Sequence, residues 1–187
     1  AEKLTEDTWI ERAAGAIHDG KVVGWFQGRM EFGPRALGNR SMLAKATDAS
    51  INDWLNTRLD RYDFMPFAPS VLAESADEVF MDVGKARHTA EFMTITFDVN
   101  PAWRARIPAV VHVDGTARPQ LVRRDRNPMY HRLIAAYHQL SGIPLVLNTS
   151  FNVHEEPIVC APPEAIKAYQ ERRVDCLAIG NFWCGAT

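Results

Sequence analysis

Three arginines, Arg29, Arg35 and Arg40, are threaded through Gly28-Arg29-Met30-Glu31-Phe32-Gly33-Pro34-Arg35-Ala36-Leu37-Gly38-Asn39-Arg40-Ser41 with one acidic neighbour, Glu31. Glycine lets backbone approach a ligand closely, and the guanidinium fork matches phosphate or carboxylate oxygens two at a time. The stretch therefore has the makings of an anion cradle, with Arg29, Arg35 and Arg40 as contacts and Ser41 as an added donor. The competing reading is a loop pinned by surface salt bridges, with Glu31 either orienting an arginine or facing the ligand.

A second cluster lies more than a hundred residues on. Leu145-Val146-Leu147 reads as a buried strand that gives way to Asn148-Thr149-Ser150-Phe151-Asn152. Ligands of open α/β sheets gather at such strand ends, and amides and hydroxyls there orient a phosphate or ribose without adding charge. Between the clusters, Arg118 follows a Gly115-Thr116 turn and can reach a phosphate. His112 can contact the same anion, act as an acid, or simply pack in a hydrogen-bonded position.

Composition sets bounds on the partners. The chain has 187 residues, 47% hydrophobic and 24% charged, with a net charge of −2. That describes an ordinary globular domain, and no global field favours nucleic acid. All but five of its 21 basic residues are arginine, which tilts local chemistry towards oxyanions. No apolar run approaches a membrane span. Cys160, Cys176 and Cys184 are too few and too irregular for a disulfide framework or a zinc site; reduced thiols and a cytoplasmic setting are expected. Nothing resembles a signal peptide.

The elements that must position these residues alternate. Thr5 caps a helix through Trp9, Ile10, Ala13, Ala14 and Ile17, closed by Gly20. Strands are expected at Val22 to Phe26 and Met42 to Ala46, then a helix opened by Asp48. Ser75-Ala76-Asp77-Glu78 has a capping-box pattern. Phe92 to Val99 alternates as a strand should, and Val110 to Val113 would pair with Leu121 to Arg123 around Asp114-Gly115. Pro128 starts a helix that Gly142 closes, Pro162 or Pro163 starts another, and Cys176 to Ile179 is a late strand. The whole reads as one α/β domain, without repeats or linkers.

Arg29 to Ser41, Pro66-Phe67-Ala68-Pro69, His112-Val113-Asp114-Gly115-Thr116-Ala117-Arg118 and Leu147 to Asn152 occur in that order. Together they resemble the C-terminal domain of the O-carbamoyltransferases that modify nodulation factors, antibiotics and surface sugars, from about Lys21 to Trp183. The resemblance implies a YrdC/Sua5-like fold: a twisted mixed β-sheet with flanking helices and a concave basic face. It implies that residues 1–187 form a domain that binds carbamoyl phosphate and ATP, with Mg2+ expected alongside the nucleotide, and makes carbamoyl-adenylate. A Kae1-like N-terminal domain, absent from this chain, would hold iron and pass the carbamoyl group to a hydroxyl.

On this basis Arg35 matches the family's arginine for carbamoyl phosphate and, with Arg118 and His112, forms the expected catalytic set. Arg29, Arg40, Ser41, Arg58, Arg61, Asn148, Ser150 and Asn152 are the expected substrate and nucleotide contacts. Asn148 has a local alternative as a turn cap. One segment departs from the family pattern: residues 56–67 lack a lysine, and Met65 stands where arginine is common, so Arg58 or Arg61 would have to compensate. Two other readings stand beside the enzyme: a YrdC-like nucleotide- or RNA-binding module, and a silent interface domain. Neither a metal site in this chain nor a particular oligomeric state follows from the residues, which are compatible with a homodimer.

Overall fold

The computed structural model describes residues 1–60 and 66–185. Among these described residues ten strands run in chain order: β1 (Glu2–Lys3), β2 (Val23–Phe26), β3 (Arg40–Ala44), β4 (Ala68–Leu72), β5 (Phe97–Asp98), β6 (Thr116–Ala117), β7 (Gln120–Val122), β8 (Leu145–Ser150), β9 (Cys176–Ile179) and β10 (Phe182–Cys184). The helices are α1 (Glu6–His18), α2 (Ser50–Arg58), α3 (Ala76–Val79), α4 (Arg87–Ala90), α5 (Pro101–Arg104), α6 (Pro128–Ser141) and α7 (Pro162–Gln170). Eight strands form one sheet in the order β1-β10-β9-β2-β3-β8-β4-β7, while β5 and β6 pair separately. The large sheet is mixed: β2 runs parallel to β9 and β4 to β7, and its other pairings are antiparallel.

Local chemistry explains the main helices. The Thr5 hydroxyl accepts from the Thr8 N–H, and Glu6 and Asp7 meet the positive end of α1. Asn127 caps α6 ahead of Pro128, and Gly142 leaves it in the left-handed region at φ 69°. These two helices share one face of the sheet, where Trp9 of α1 stacks on Trp25 of β2 with ring centroids 4.1 Å apart. Arg132 of α6 pairs with both first-turn acids of α1. The other face carries α2 and α7 together with Phe151, whose ring lies against Gly24. A Cβ at Gly24 would fall 2.7 Å from that ring, so this strand position requires glycine.

Some expected boundaries shift. The second strand sits at Arg40–Ala44, earlier than Met42 to Ala46, which brings Arg40 itself into the sheet. Asp48 opens α2 by accepting from the N–H and hydroxyl of Ser50. Ser75 makes no side-chain cap, and the helix after it is a single turn. The expected strand over Phe92 to Val99 is reduced to Phe97–Asp98, because Met93 takes a left-handed backbone (φ 54°) and Thr94 hydrogen-bonds back to the Thr89 carbonyl. The Asp114-Gly115 turn forms, with Asp114 accepting from the Thr116 N–H and hydroxyl. Its flanks are not the expected pair. Residues 108–110 form a 3-10 turn after Pro108, β6 pairs with β5, and beyond Pro119 β7 pairs with β4. Among the described residues no helix is long and apolar enough to cross a membrane.

Candidate active site

Residues 27–39 join β2 to β3 without regular structure, and their backbone is held almost wholly by buried amides and one carboxylate. The carbonyls of Ala36, Leu37 and Gly38 accept, in turn, from Asn148 Nδ2 at 3.0 Å, Gln120 Nε2 at 2.8 Å and Gln27 Nε2 at 2.8 Å. Trp25 Nε1 adds a second bond to the Gly38 carbonyl at 2.9 Å. From the other side, Glu31 Oε1 accepts from the N–H groups of Leu37, Asn39 and Arg40. Glu31 Oε1 is thus the knot of the loop, while its Oε2 is buried without a partner.

Gly38 is required twice over. Its φ is +99°, and a Cβ there would lie 2.1 Å from the Tyr130 ring. With Gly38 pressed on Tyr130 and three successive carbonyls held, Arg35 projects from a loop with little freedom. Asn148, Ser70 and Gln120 interlock behind it: Ser70 Oγ donates to Gln120 Oε1 at 2.7 Å, and Asn148 Nδ2 donates to Ser70 Oγ at 2.9 Å.

Arg35 and Arg118 face a common cleft. Two recesses, about 70 Å³ and about 430 Å³, meet there, and Pro34, Arg35, Met93 and Arg118 line both. The smaller also takes in Asn148, Thr149 and Ser150 at the end of β8. Neither arginine makes a hydrogen bond or ion pair with a described residue, and Arg118 Nε is buried with no partner. Burial, and then the neighbouring charge of Arg35, hold the Arg118 guanidinium below its usual pKa. Two guanidinium groups sharing a cleft, neither paired with a carboxylate among the described residues, form a site complementary to an anion.

His112 stands behind Arg118. Its Nδ1 lies 3.0 Å from Thr116 Oγ1, and burial lowers its pKa, with Asp114 opposing and Arg118 reinforcing the shift. It does not line either recess. Other expected contacts lie elsewhere. Arg40 is buried over the Phe26 ring, 3.5 Å from its centroid, and its guanidinium donates to the carbonyls of Gln27, Gly28, Asn39 and Cys160. It is a clasp holding the loop to the start of α7, so the anion-contact role expected for it does not fit this placement. Ser41 is fully buried and accepts from the Gly38 N–H, with no exposure to a ligand.

Arg29 is exposed and outside both recesses. Arg58 is turned away, packed 4.0 Å from the Trp54 centroid and bonded to the Arg172 carbonyl and Asp175. Arg61 and Met65 lie outside the described residues. Asn148 is a buried strand residue rather than a turn cap, and Asn152 donates to the Glu156 carbonyl at 2.7 Å. Sequence reasoning missed Gln27, Ser70, Gln120 and Asn127. Their signal was available: each is a polar residue within or beside an apolar strand or at a helix start, where burial demands a partner. Among the described residues no three His, Cys, Asp or Glu side chains converge on a metal position.

The fold defines a class before it defines a family. The chain is similar to full-length HypF in a phosphate- and nucleotide-bound form, with a TM-score of 0.68 at 20% identity over 92% of this chain and 25% of that one. It is similar also to Sua5 of P. abyssi complexed with L-threonine, with a TM-score of 0.67 at 16% identity over 96% and 48%. This is the YrdC/Sua5-like fold. Residues 14–185 match the model of the family described as Carbamoyltransferase C-terminus, and the chain belongs to that family.

It is 44% identical over 177 residues to nodulation protein NolNO of Sinorhizobium fredii (strain NBRC 101917 / NGR234), covering 94% of this chain and 26% of that protein. It is 35% identical over 180 residues to the 3'-hydroxymethylcephem-O-carbamoyltransferase of Streptomyces clavuligerus, covering 95% and 33%. The chain therefore spans about a quarter to a third of the length of these relatives.

Proposed function

We propose that this chain is the carbamoyl-activating domain of an O-carbamoyltransferase, binding carbamoyl phosphate and ATP. The observation that carries the reading is the pair Arg35 and Arg118, two cations on one cleft that no carboxylate among the described residues pairs with. Water first cleaves carbamoyl phosphate to carbamate and phosphate. A carbamate oxygen then bonds to the α-phosphorus of ATP as the bond to pyrophosphate breaks, giving carbamoyl-adenylate. Carbamoyl phosphate, carbamate and ATP are all anions, so bringing them together is opposed by charge; fixed guanidinium groups offset that repulsion and stabilise charge on the transferring oxygens. The clasped loop supplies the positioning.

The residues divide accordingly. Arg35 grips the phosphate, Arg118 reaches it from the opposite loop, and Ser150 at the end of β8 orients a bound oxygen. His112 tunes Arg118 from behind. The Mg2+ expected with the triphosphate has no ligand set among the described residues, so no step here is routed through it. A second domain would transfer the carbamoyl group to a hydroxyl of a sugar or other natural product, in a cytoplasmic setting suited to three free thiols. Calorimetric titration with carbamoyl phosphate tests the reading: binding that is lost in Arg35→Ala, in a variant that keeps its fold, supports it. Unchanged affinity in that variant overturns it.

A further inference from the structure

The side-chain amide of Asn127 does more than begin a helix. Its Oδ1 accepts from the Tyr130 N–H at 3.2 Å, and that bond alone caps α6. Serine, threonine or aspartate would supply the same acceptor. The cap has no use for the Nδ2 group, which donates instead to Asn39 Oδ1 at 3.0 Å, 88 residues back in the chain. Gln27 completes the cluster. Its Nε2 donates to Asn127 Oδ1 at 2.9 Å, to Asn39 Oδ1 at 3.1 Å and to the Gly38 carbonyl at 2.8 Å. These bonds fix which way each asparagine points, because reversing either amide would set donor against donor.

Asn39 is where the loop of Arg35 closes. Its Nδ2 donates to the Arg29 carbonyl at 2.9 Å, and its own carbonyl accepts from the Gln27 N–H at 3.1 Å, so the two ends of the segment meet there. One residue earlier, Gly38 rests on the ring of Tyr130, also in the first turn of α6. That helix is a firm reference: it is 14 residues long, with Leu133, Ile134 and Tyr137 buried. Resting on the activating-domain reading, we propose that Asn127 is a positioning residue for the anion site. Its donor sets Asn39, Asn39 sets the closure of residues 29–39, and that closure sets Arg35 opposite Arg118. A displacement of about 1 Å caused far from the reacting atoms can cost about 100-fold, so one remote donor is enough to matter.

Two substitutions separate the donor from the cap. Asn127→Ser keeps an acceptor for the Tyr130 N–H and removes the donor to Asn39. Its melting temperature should stay within about 4 °C of the parent, while calorimetry should show carbamoyl phosphate weakened by about fivefold or more. Asn127→Ala removes the cap as well, and should lower the melting temperature further with no greater loss of affinity. Parent affinity in Asn127→Ser, or affinity that falls only as stability falls in Asn127→Ala, marks a plain helix cap and overturns the proposal. Linkage gives a variant-free reading. A contact that favours the binding geometry must itself be favoured by the ligand to the same degree, so the Asn127 side-chain amide protons should exchange about fivefold more slowly with carbamoyl phosphate bound. Unchanged exchange overturns the role even if neither variant folds. Inorganic phosphate is titrated in parallel. Binding of phosphate but not of carbamoyl phosphate defeats the activating-domain reading alone, and the same comparisons made with phosphate then decide Asn127. Binding of neither defeats both.

Discussion

Arg118 is a half-buried cation that feels the charge of another cation, Arg35. In the ligand-free protein that arrangement costs stability, and an anion recovers it. Arg118→Met should therefore raise the melting temperature of the ligand-free protein by a few degrees or leave it unchanged, since about 1 kcal/mol moves a domain of this size by about 2–4 °C. The same variant should lose the stabilisation that carbamoyl phosphate gives the parent; thermal unfolding with and without the ligand measures both. His112 adds a pH signature. Its pKa is lower in the folded chain than the usual value of 6.5, so the unfolded chain binds the proton more readily. The contribution of His112 to stability is complete above that value and is lost as pH falls from it through the folded pKa. Melting temperature should drop across that window, and His112→Gln should flatten the drop. A bound anion beside Arg118 should move the His112 resonance titration upward.

At the scale of elements, the sheet and its long helices were legible because their signals are local. Thr5, Pro128 and Gly142 mark helix ends by chemistry that acts within one turn, and Leu145 to Leu147 could only be a buried strand. The stretch from Phe92 to Val122 was not legible. Its alternation is real, but a left-handed residue at Met93 and prolines at 108 and 119 chop it into turns and two-residue strands. The arginines divide in the same way. From sequence Arg35 led and Arg40 and Ser41 stood beside it as ligand contacts, because nothing local distinguishes an arginine facing a cleft from one closed over four carbonyls.

Two predictions belong to this loop. Gly38→Ala must fit a methyl against Tyr130 and hold a positive φ, and should cost at least about 2 kcal/mol by chemical denaturation. Asn148→Ala leaves the Ala36 carbonyl without its donor. It should cost about 1–3 kcal/mol and weaken carbamoyl phosphate binding without touching either arginine.

For the whole molecule, the acidic net charge and the paired cations of the cleft pull in opposite directions. Long-range attraction of anions should be weak, and binding should depend on the short-range pair. Affinity for carbamoyl phosphate should thus fall only modestly between low and physiological salt, far less than for a protein that draws its ligand by overall charge; calorimetry at two ionic strengths measures the difference. A steep salt slope would mean that exposed groups such as Arg29 dominate.

The loop that carries Arg35 also sets an order of events during synthesis. Four of its anchors are remote in the chain: Leu37 is held by Gln120, 83 residues on, Gln27 by Asn127 at 100, Ala36 by Asn148 at 112, and Arg40 by the Cys160 carbonyl at 120. The glycines and arginines leave the ribosome early together with Trp25, Gln27 and Glu31, yet these four distant anchors do not exist until most of the domain has followed. A nascent chain halted before Asn148 would carry the whole motif and hold it as an unformed string, with the site closing only when the late strand arrives.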